Sequence, residues 1–210
     1  MGELVLEVPQ KGNKMSLRLN RFVGDGDEMS FPDHATNIPK CLQPGFRPTK
    51  TVAMECYEHG FRSIDAGDER VTALQTYTGN DLYDSLNASL RQYNHKQWEN
   101  TAYHLNMAIV SFLHHPRGRH PYLWRGLRGK AKLRVGSTVV FKQFVSATRS
   151  PDVARAFAGY SGIVLEFRSW KIGADVAHFS PYAEAEVLLA PYQQFRVVAI
   201  EGNKVILEAL

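Results

Sequence analysis

Apolar residues recur at helical spacing through the first half of the chain. Between residues 50 and 115 they fall three or four positions apart, which places them on one face of an α-helix. The clearest examples are Leu82, Leu86, Leu90, Leu105, Ala108, Ile109 and Phe112. Pro116 and Pro121 interrupt the pattern, because proline lacks the backbone N–H that an α-helix needs. We therefore predict a helical part over residues 49–116.

The pattern changes after Pro121 to short runs of β-branched, aliphatic and aromatic residues separated by Gly, Ser, Pro and Asn. Such runs are typical of strands bounded by turns. We predict strands over residues 122–128, 141–148, 162–167 and 186–190, a helix from residue 152, and a terminal hairpin over 194–200 and 205–210. The predicted fold class is α+β, with a helical N-terminal lobe packed on a β part at residues 121–210.

Residues 1–48 show neither the helical nor the strand pattern of apolar residues, and they carry turn signals such as Gly24 and Pro44. We expect loops and short helices in this irregular segment, packed against the rest of the chain. Residues 49–210 are expected to form a single domain. No internal repeat or low-complexity tract divides the sequence further.

Composition and charge exclude several classes of protein. A hydrophobic content of 44% over 210 residues is enough for a substantial core, so the chain is not disordered. The net charge is only +4 and most basic residues are spread out, which makes nucleic acid an unlikely partner, although the basic run from Arg125 to Arg134 keeps that alternative open. No signal-peptide leader and no apolar run of membrane-spanning length occur, so we expect a soluble chain without a membrane partner.

Cys41 and Cys56 are the only two cysteines. They allow either one disulfide or two free buried thiols, and the sequence leaves both alternatives open. Because no clustered Cys and His pattern occurs, we expect no bound metal.

Two glutamates, Glu184 and Glu186, precede an apolar run and are separated by one residue. Side chains alternate between the faces of a strand, so both carboxylates are predicted to project to the same side. Paired carboxylates are typical of acid–base and electrostatic catalysis. Taken alone, however, the motif is more often a solvated strand edge.

Further polar residues lie on the preceding strands. Arg125 stands beside Gly126 in the first, and Ser146 and Thr148 end the second. Each has an ordinary alternative, since a strand-edge arginine is usually a surface charge and a terminal serine usually forms a turn. The order along the chain is what favours a site: an arginine, a serine and then the glutamate pair fall on successive predicted strands.

A helical segment adds a fourth motif, with Tyr77-Thr78 followed by Asn87 and by Leu90-Arg91. With these four motifs in this order, the chain resembles the arginine-serine-glutamate class of mono-ADP-ribosyltransferases, which includes arginine-modifying ecto-enzymes and bacterial toxins. The resemblance covers residues 73–195. It implies a split β-sandwich with a cleft that holds NAD, which serves as the cosubstrate.

The resemblance also implies roles for the strand residues. Glu186 matches the second glutamate of the family motif, which stabilises the positive ribose formed when nicotinamide leaves. Glu184 matches the first, which orients and deprotonates an incoming guanidinium. Arg125 corresponds to the residue that grips the NAD phosphates. Ser146 and Thr148 match the outer residues of the family's Ser-Thr-Ser motif, whose central hydroxyl is missing here.

Other matched positions are expected to contact NAD. The resemblance implies that Gly126 allows close approach of the nicotinamide carboxamide. Phe157 is expected either to stack on the nicotinamide ring or to belong to the core. Tyr77, Asn87 and Arg91 correspond to positions near the phosphates.

The function implied by the resemblance is transfer of ADP-ribose from NAD to arginine on a target protein. Two alternatives stay open: an NAD glycohydrolase that uses the same residues, and a catalytically silent binding module of the same fold. The identity of the target is not encoded in any motif that we identify.

Overall fold

The fold comes from a computed structural model, which describes residues 23–24, 29–30, 38–79, 82–112, 122–129, 131, 133–179 and 185–210. The part of the chain that it describes contains five α-helices and ten strands. Helices dominate the first half and strands the second, so the predicted α+β class is confirmed.

The helical part consists of four α-helices and two short 3-10 helices. Leu82, Leu86 and Leu90 are fully buried, which confirms the face predicted from their spacing. The helices are α1 (Val52–Glu58), α2 (Glu69–Gly79), α3 (Leu82–Arg91) and α4 (Glu99–Ser111), with 3-10 turns at Lys40–Leu42 and His95–Trp98.

The strands form one strongly bent sheet, crossed by a fifth helix. The strands are β1 (Val23–Gly24), β2 (Met29–Ser30), β3 (Leu123–Leu127), β4 (Thr138–Phe141), β5 (Val145–Thr148), β6 (Ile163–Phe167), β7 (Gly173–Asp175), β8 (Glu186–Leu189), β9 (Gln193–Glu201) and β10 (Lys204–Ala209), and the helix is α5 (Pro151–Ala158). Their spatial order is β2, β4, β9, β10, β6, β3, β5, β8, β7, with β1 beside β3.

A single residue pair joins the two halves of the sheet. Trp124 of β3 pairs with Thr148 of β5, whereas β3 makes five pairs with β6 on its other side. The sheet therefore bends between β3 and β5, and both halves contribute side chains to one core cluster. This is the split β-sandwich that the resemblance implied.

Three details of the strand prediction were wrong. The run 141–148 is not one strand: β4 ends at Phe141 and pairs with β2 and β9, whereas β5 begins at Val145 and pairs with β3 and β8. Residues 142–144 carry the chain from one set of partners to the other. In addition, two short pieces of the N-terminal segment, expected as loops and helices, are strands that pair with β3 and β4. The three-residue strand β7 was not predicted.

The core has two main parts. The larger one joins the helices to one face of the sheet through Phe144 and Leu188. The other lies between the two halves of the sheet and includes Phe141, Phe167 and Phe195, whose rings are in mutual contact. Strands β5 and β8 are buried on both faces, since every residue of each strand is buried. A polar residue on either strand is therefore held away from water.

Cys41 and Cys56 are free and buried. Burial raises the pKa of the Cys41 thiol to about 12 and that of Cys56 to about 11. Both thiols are therefore protonated and unreactive in the folded protein at neutral pH.

A buried carboxylate ties helix α1 to the beginning of helix α4. Glu55 is 2% exposed and accepts hydrogen bonds from the backbone N–H groups of Asn100 and Thr101 and from the Asn100 side-chain amide, at 2.7–3.1 Å. These backbone groups have no partner within their own helix, because they belong to its first turn. Glu55 therefore supplies the cap that the sequence before α4 lacks.

We expect Glu55→Gln to lower the free energy of unfolding by about 2–3 kcal/mol. The glutamine amide can place only one acceptor oxygen where the carboxylate has two, so a buried donor loses its partner. Urea denaturation followed by far-UV circular dichroism measures the change. Glu58→Gln on the same helix is the control, since Glu58 forms an exposed pair with Lys50 and should contribute less than about 1 kcal/mol. Equal effects in the two variants would contradict this account.

Candidate active site

Three of the predicted site residues lie on the adjacent strands β5 and β8. Glu186 is the first residue of β8 and lies directly opposite Thr148 of β5. Ser146 is two residues before Thr148, so alternation along the strands puts all three side chains on the same face of the sheet. Glu186 is 0% exposed, and Ser146 and Thr148 are equally well buried. In such surroundings the charge of a carboxylate is weakly screened.

Arg125 lies on β3, next to the bend in the sheet. It is buried, and its Nη1 atom donates a hydrogen bond of 2.7 Å to the carbonyl oxygen of Ser146. The arginine side chain thus reaches from β3 to β5 where these two strands diverge. The structure thus brings a buried cation, two hydroxyls and a buried carboxylate onto three successive strands of the sheet.

Gly126 is explained by the packing of helix α5. A Cβ atom at this position would lie 2.3 Å from the carbonyl oxygen of Ala154, 2.5 Å from the nitrogen of Ala158 and 2.9 Å from Cβ of Phe157. The helix backbone therefore fills the space that a side chain would need. This packing by itself requires glycine at position 126, and the expected approach of nicotinamide to Gly126 stays a prediction.

Phe157 belongs to the same packing layer. It is 5% exposed and lies on the face of α5 that covers Gly126. Phe157 is thus a core residue, which is one of the two roles expected from the sequence. Stacking of the ring on nicotinamide stays a prediction.

The helical motif forms hydrogen bonds with residues that directly precede β5. Tyr77 is 1% exposed, and its hydroxyl accepts a hydrogen bond of 2.9 Å from Nδ2 of Asn87, which also donates to the carbonyl oxygen of Phe144 at 3.3 Å. Nη1 of Arg91 donates to Oε1 of Gln143. The motif thus lies close to the strand that bears the site serine. Contact of Tyr77, Asn87 and Arg91 with NAD phosphates stays a prediction.

Glu184 lies outside the described residues, but the structure fixes the end of the segment that carries it. The backbone N–H of Arg149 donates to the carbonyl oxygen of Ala185 at 3.0 Å. The Arg149 guanidinium also pairs with the carboxylate of Asp175, at 2.8 Å between Nη1 and Oδ2. Ala185, the residue after Glu184, is therefore held at the end of β5, and the Arg149 side chain connects this place to β7.

Sequence analysis missed three of these supporting residues. Gln143 had one visible signal, because it belongs to a polar pair inside the apolar run 141–148. Arg149 and Asp175 had none, since a charged residue at a strand end is ordinary and the two are far apart along the chain. Only the pairing of β5 and β7 with β8 brings them together.

A separate cavity of about 470 Å³ lies between the beginning of α2 and the middle of α4. None of the predicted site residues lines it; its walls include Glu69, Arg70, Tyr103 and His104. Within the described ranges, no three His, Cys, Asp or Glu side chains are grouped as metal ligands would be. A search of the same ranges finds no helix of the length and apolarity needed to cross a membrane.

Several solved structures that match this fold are ADP-ribosyltransferases. The eukaryotic enzyme ART2.2 is 24% identical with a TM-score of 0.52, over 66% of this chain and 64% of that one. The Vis toxin of Vibrio splendidus is 23% identical with a TM-score of 0.56, over 70% of this chain and 74% of its own. Exoenzyme S of Pseudomonas aeruginosa is 24% identical with a TM-score of 0.53, over 66% and 72%. The chain thus has the mono-ADP-ribosyltransferase fold.

A family model describes the sequence more closely. The model for NAD:arginine ADP-ribosyltransferases matches residues 49–209, which is most of the chain. The chain therefore belongs to the NAD:arginine ADP-ribosyltransferase family. Family membership supports transfer of ADP-ribose from NAD as the class of reaction. The chain spans less than two thirds of the length of ART2.2. No curated protein matches it.

Proposed function

We propose that this chain transfers ADP-ribose from NAD to the side chain of arginine in a target protein, with release of nicotinamide. The observation that carries the proposal is the fully buried Glu186, directly opposite Thr148 and on the same face as Ser146. Carboxylates are rarely fully buried, and those that are buried in a strand beside other polar residues are candidates for functional sites. The family motif gives this glutamate a catalytic role.

Glu186 would act on the ribose of NAD. When the bond between the ribose C1′ and the nicotinamide nitrogen breaks, its electron pair leaves with the nicotinamide and positive charge develops on the ribose. A buried carboxylate stabilises this charge more than it stabilises the ground state, as in glycoside hydrolysis. The neighbouring hydroxyl of Ser146 is suited to hold either the ribose or the carboxylate in position.

The described residues suit a ligand with two phosphates and a ribose that becomes positive. Arg125 is buried, and its Nη1 donates to the Ser146 carbonyl, which fixes the place of the guanidinium. A guanidinium is a planar cation whose geometry matches phosphate oxygens. A lysine could not replace it well, because a single ammonium lacks the planar arrangement of donors. The cation on β3 and the carboxylate on β8 thus stand on either side of β5, the strand that carries Ser146, which suits an extended dinucleotide.

Glu184 is proposed to select the acceptor. A guanidinium keeps its proton at any working pH, so its nitrogen attacks C1′ only if a positioned base takes the proton as the new bond forms. Vis has been solved with bound agmatine, a small guanidino compound, and exoenzyme S with a human 14-3-3 protein. These two neighbours support a guanidino acceptor and a protein partner for this chain.

The acceptor is tested by incubating the protein with labelled NAD, with and without agmatine. We expect ADP-ribosyl-agmatine from the unaltered protein, and at least about a hundredfold less of it from Glu184→Gln. NAD hydrolysis should largely survive this substitution, because water needs less help than a guanidinium. Glu208→Gln, at an exposed position, is the matched control for loss of a carboxylate charge.

The outcomes separate the alternatives. Agmatine adduct that depends on Glu184 supports transfer to arginine. Free ADP-ribose alone would favour an NAD glycohydrolase, and equal loss of transfer and hydrolysis in Glu184→Gln would contradict the role given to Glu184. Absence of any turnover by the folded protein would favour a silent module.

A further inference from the structure

Arg91 and Gln143 meet where helix α3 approaches the chain that leads into β5. Arg91 is the last residue of α3, and its Nη1 donates a hydrogen bond to Oε1 of Gln143. Asn87 lies four residues earlier on the same face of the helix, and its Nδ2 donates to the carbonyl oxygen of Phe144. One face of α3 thus bonds to two consecutive residues, and the site residue Ser146 lies two positions after them in β5.

Gln143 is 0% exposed, and only one end of its side-chain amide has a partner. A guanidinium has donors and no acceptor, so Oε1 of the amide must face Arg91. Nε2 is then left buried, without a hydrogen-bond partner in the described part of the chain. An apolar side chain of similar size would avoid this cost to stability. The amide is therefore better explained by its effect on Arg91 than by a contribution to packing.

The positive charge of Arg91 is not neutralised by a carboxylate. Its side chain is partly buried, and with the described residues it forms no ion pair. Several other arginines of the chain do pair with a carboxylate, namely Arg70, Arg149, Arg155 and Arg168. A guanidinium that is held by a neutral oxygen is oriented and yet keeps its attraction for an anion.

We propose that Gln143 is a positioning residue for the binding of NAD, because it orients the Arg91 guanidinium for the phosphates without neutralising its charge. The inference rests on the proposed function, since it takes NAD as the ligand of the site. A long side chain at a helix end otherwise samples many rotamers, and fixing it in advance lowers the entropy cost of binding. A carboxylate at position 143 would also hold Arg91, but it would cancel the charge that attracts phosphate.

The test is the affinity of the full chain for ADP-ribose, measured by isothermal titration calorimetry. ADP-ribose carries both phosphates and has no nicotinamide to lose, so its binding does not depend on catalysis by Glu186. We expect Gln143→Glu to bind it at least about tenfold more weakly than the unaltered protein, and Gln143→Met about threefold to tenfold more weakly. Gln92→Glu adds the same charge at an exposed position next to Arg91, and as the matched control it should change the affinity by less than about twofold.

A double-mutant cycle shows whether Gln143 acts through Arg91. Arg91→Met should weaken the binding of ADP-ribose, and Gln143→Met added to it should weaken binding by less than about a further twofold. In steady-state kinetics, Gln143→Glu should raise the KM for NAD and change kcat by less than about threefold, because the phosphates are bound alike in the ground state and the transition state. A residue that only supported the fold would produce neither the coupling nor this division between KM and kcat.

Thermal melting of each variant separates loss of binding from loss of folding. Gln143→Glu keeps an acceptor for Arg91, so it should stay folded even if Gln143→Met does not. Three results would overturn the proposal: equal ADP-ribose affinity of folded Gln143→Glu and the unaltered protein, a full effect of Gln143→Met in the Arg91→Met background, or no binding of ADP-ribose by the unaltered protein. Failure of the proposed function alone looks different, because ADP-ribose would then bind in a way that depends on Gln143 while NAD gives no ADP-ribosyl-agmatine.

Discussion

Replacement of Glu186 by glutamine is expected to slow nicotinamide release from NAD by about a hundredfold to a thousandfold. Glutamine has nearly the same shape but no charge, and the position is 0% exposed, so the stabilisation lost is that of a weakly screened carboxylate. Because one uncharged group replaces a buried charge, the protein should fold at least as well as before. The measurement is the initial rate of nicotinamide release at saturating NAD.

Glu166→Gln is the matched control for this prediction. Glu166 is also a nearly buried strand glutamate, 8% exposed, but it pairs with Arg168 and Lys204. Burial tends to raise its pKa, yet the hydrogen bond from Arg168 and the nearby Lys204 together hold the pKa of Glu166 below its ordinary value. Its loss should reduce stability modestly and leave the rate unchanged. Retention of most activity in folded Glu186→Gln would refute the role proposed for Glu186.

Gly126→Ala is expected to lower the free energy of unfolding by at least about 3 kcal/mol, the upper part of the range for an overpacked core. The new methyl group would meet the backbone of α5 at 2.3 and 2.5 Å, and backbone atoms cannot move aside as the end of a side chain can. To make room for the methyl group, α5 would have to move away from β3. Guanidinium denaturation followed by tryptophan fluorescence measures the loss, since Trp124 packs beside α5.

Gly79→Ala distinguishes this effect from the general cost of replacing glycine. Its added Cβ would meet only the end of the Ile64 side chain, at 3.0 Å. Gly79 ends helix α2, where alanine is favoured over glycine by up to about 1 kcal/mol, so we expect little change or a small gain in stability. If Gly126→Ala were as mild as Gly79→Ala, the close packing of α5 on β3 would be wrong.

The Glu186→Gln and Gly126→Ala variants separate the chemistry of the site from the packing of the fold. Glu186→Gln should remove activity and keep stability, whereas Gly126→Ala should remove stability first. Gly126 stands next to Arg125, so the same short strand carries a residue proposed for NAD binding and one required for packing. Measuring both properties in both variants therefore tests the site and the fold independently.

Much of the fold followed from local patterns. Spacing of Leu82, Leu86 and Leu90 predicted helix α3 and its buried face, and the terminal hairpin was predicted from two apolar runs around a Gly-Asn turn. Such predictions succeed because the pattern of burial repeats with the geometry of the element itself. The division of run 141–148 was not predictable in this way, because it depends on which distant strand each half pairs with.

For the candidate site, the sequence supplied the order of motifs and the residues Arg125, Ser146 and Glu186. It could not supply the hydrogen bond from Arg91 to Gln143 or the ion pair between Arg149 and Asp175, whose partners are far apart along the chain. The sequence also could not reveal that helix α5 occupies the space that a side chain at position 126 would need. Each of these depends on how separate elements pack.

The sequence by itself determined the α+β class, the helical face of α3 and the chemistry available at the motifs, because these depend on residue type and local period. The tertiary structure alone decided that Glu186 is fully buried opposite Thr148 and that Arg125 of β3 donates a hydrogen bond to the Ser146 carbonyl of β5. Burial and pairing are properties of the whole packed chain. They arise from contacts between residues that are far apart along the chain, and no local sequence pattern predicts such contacts.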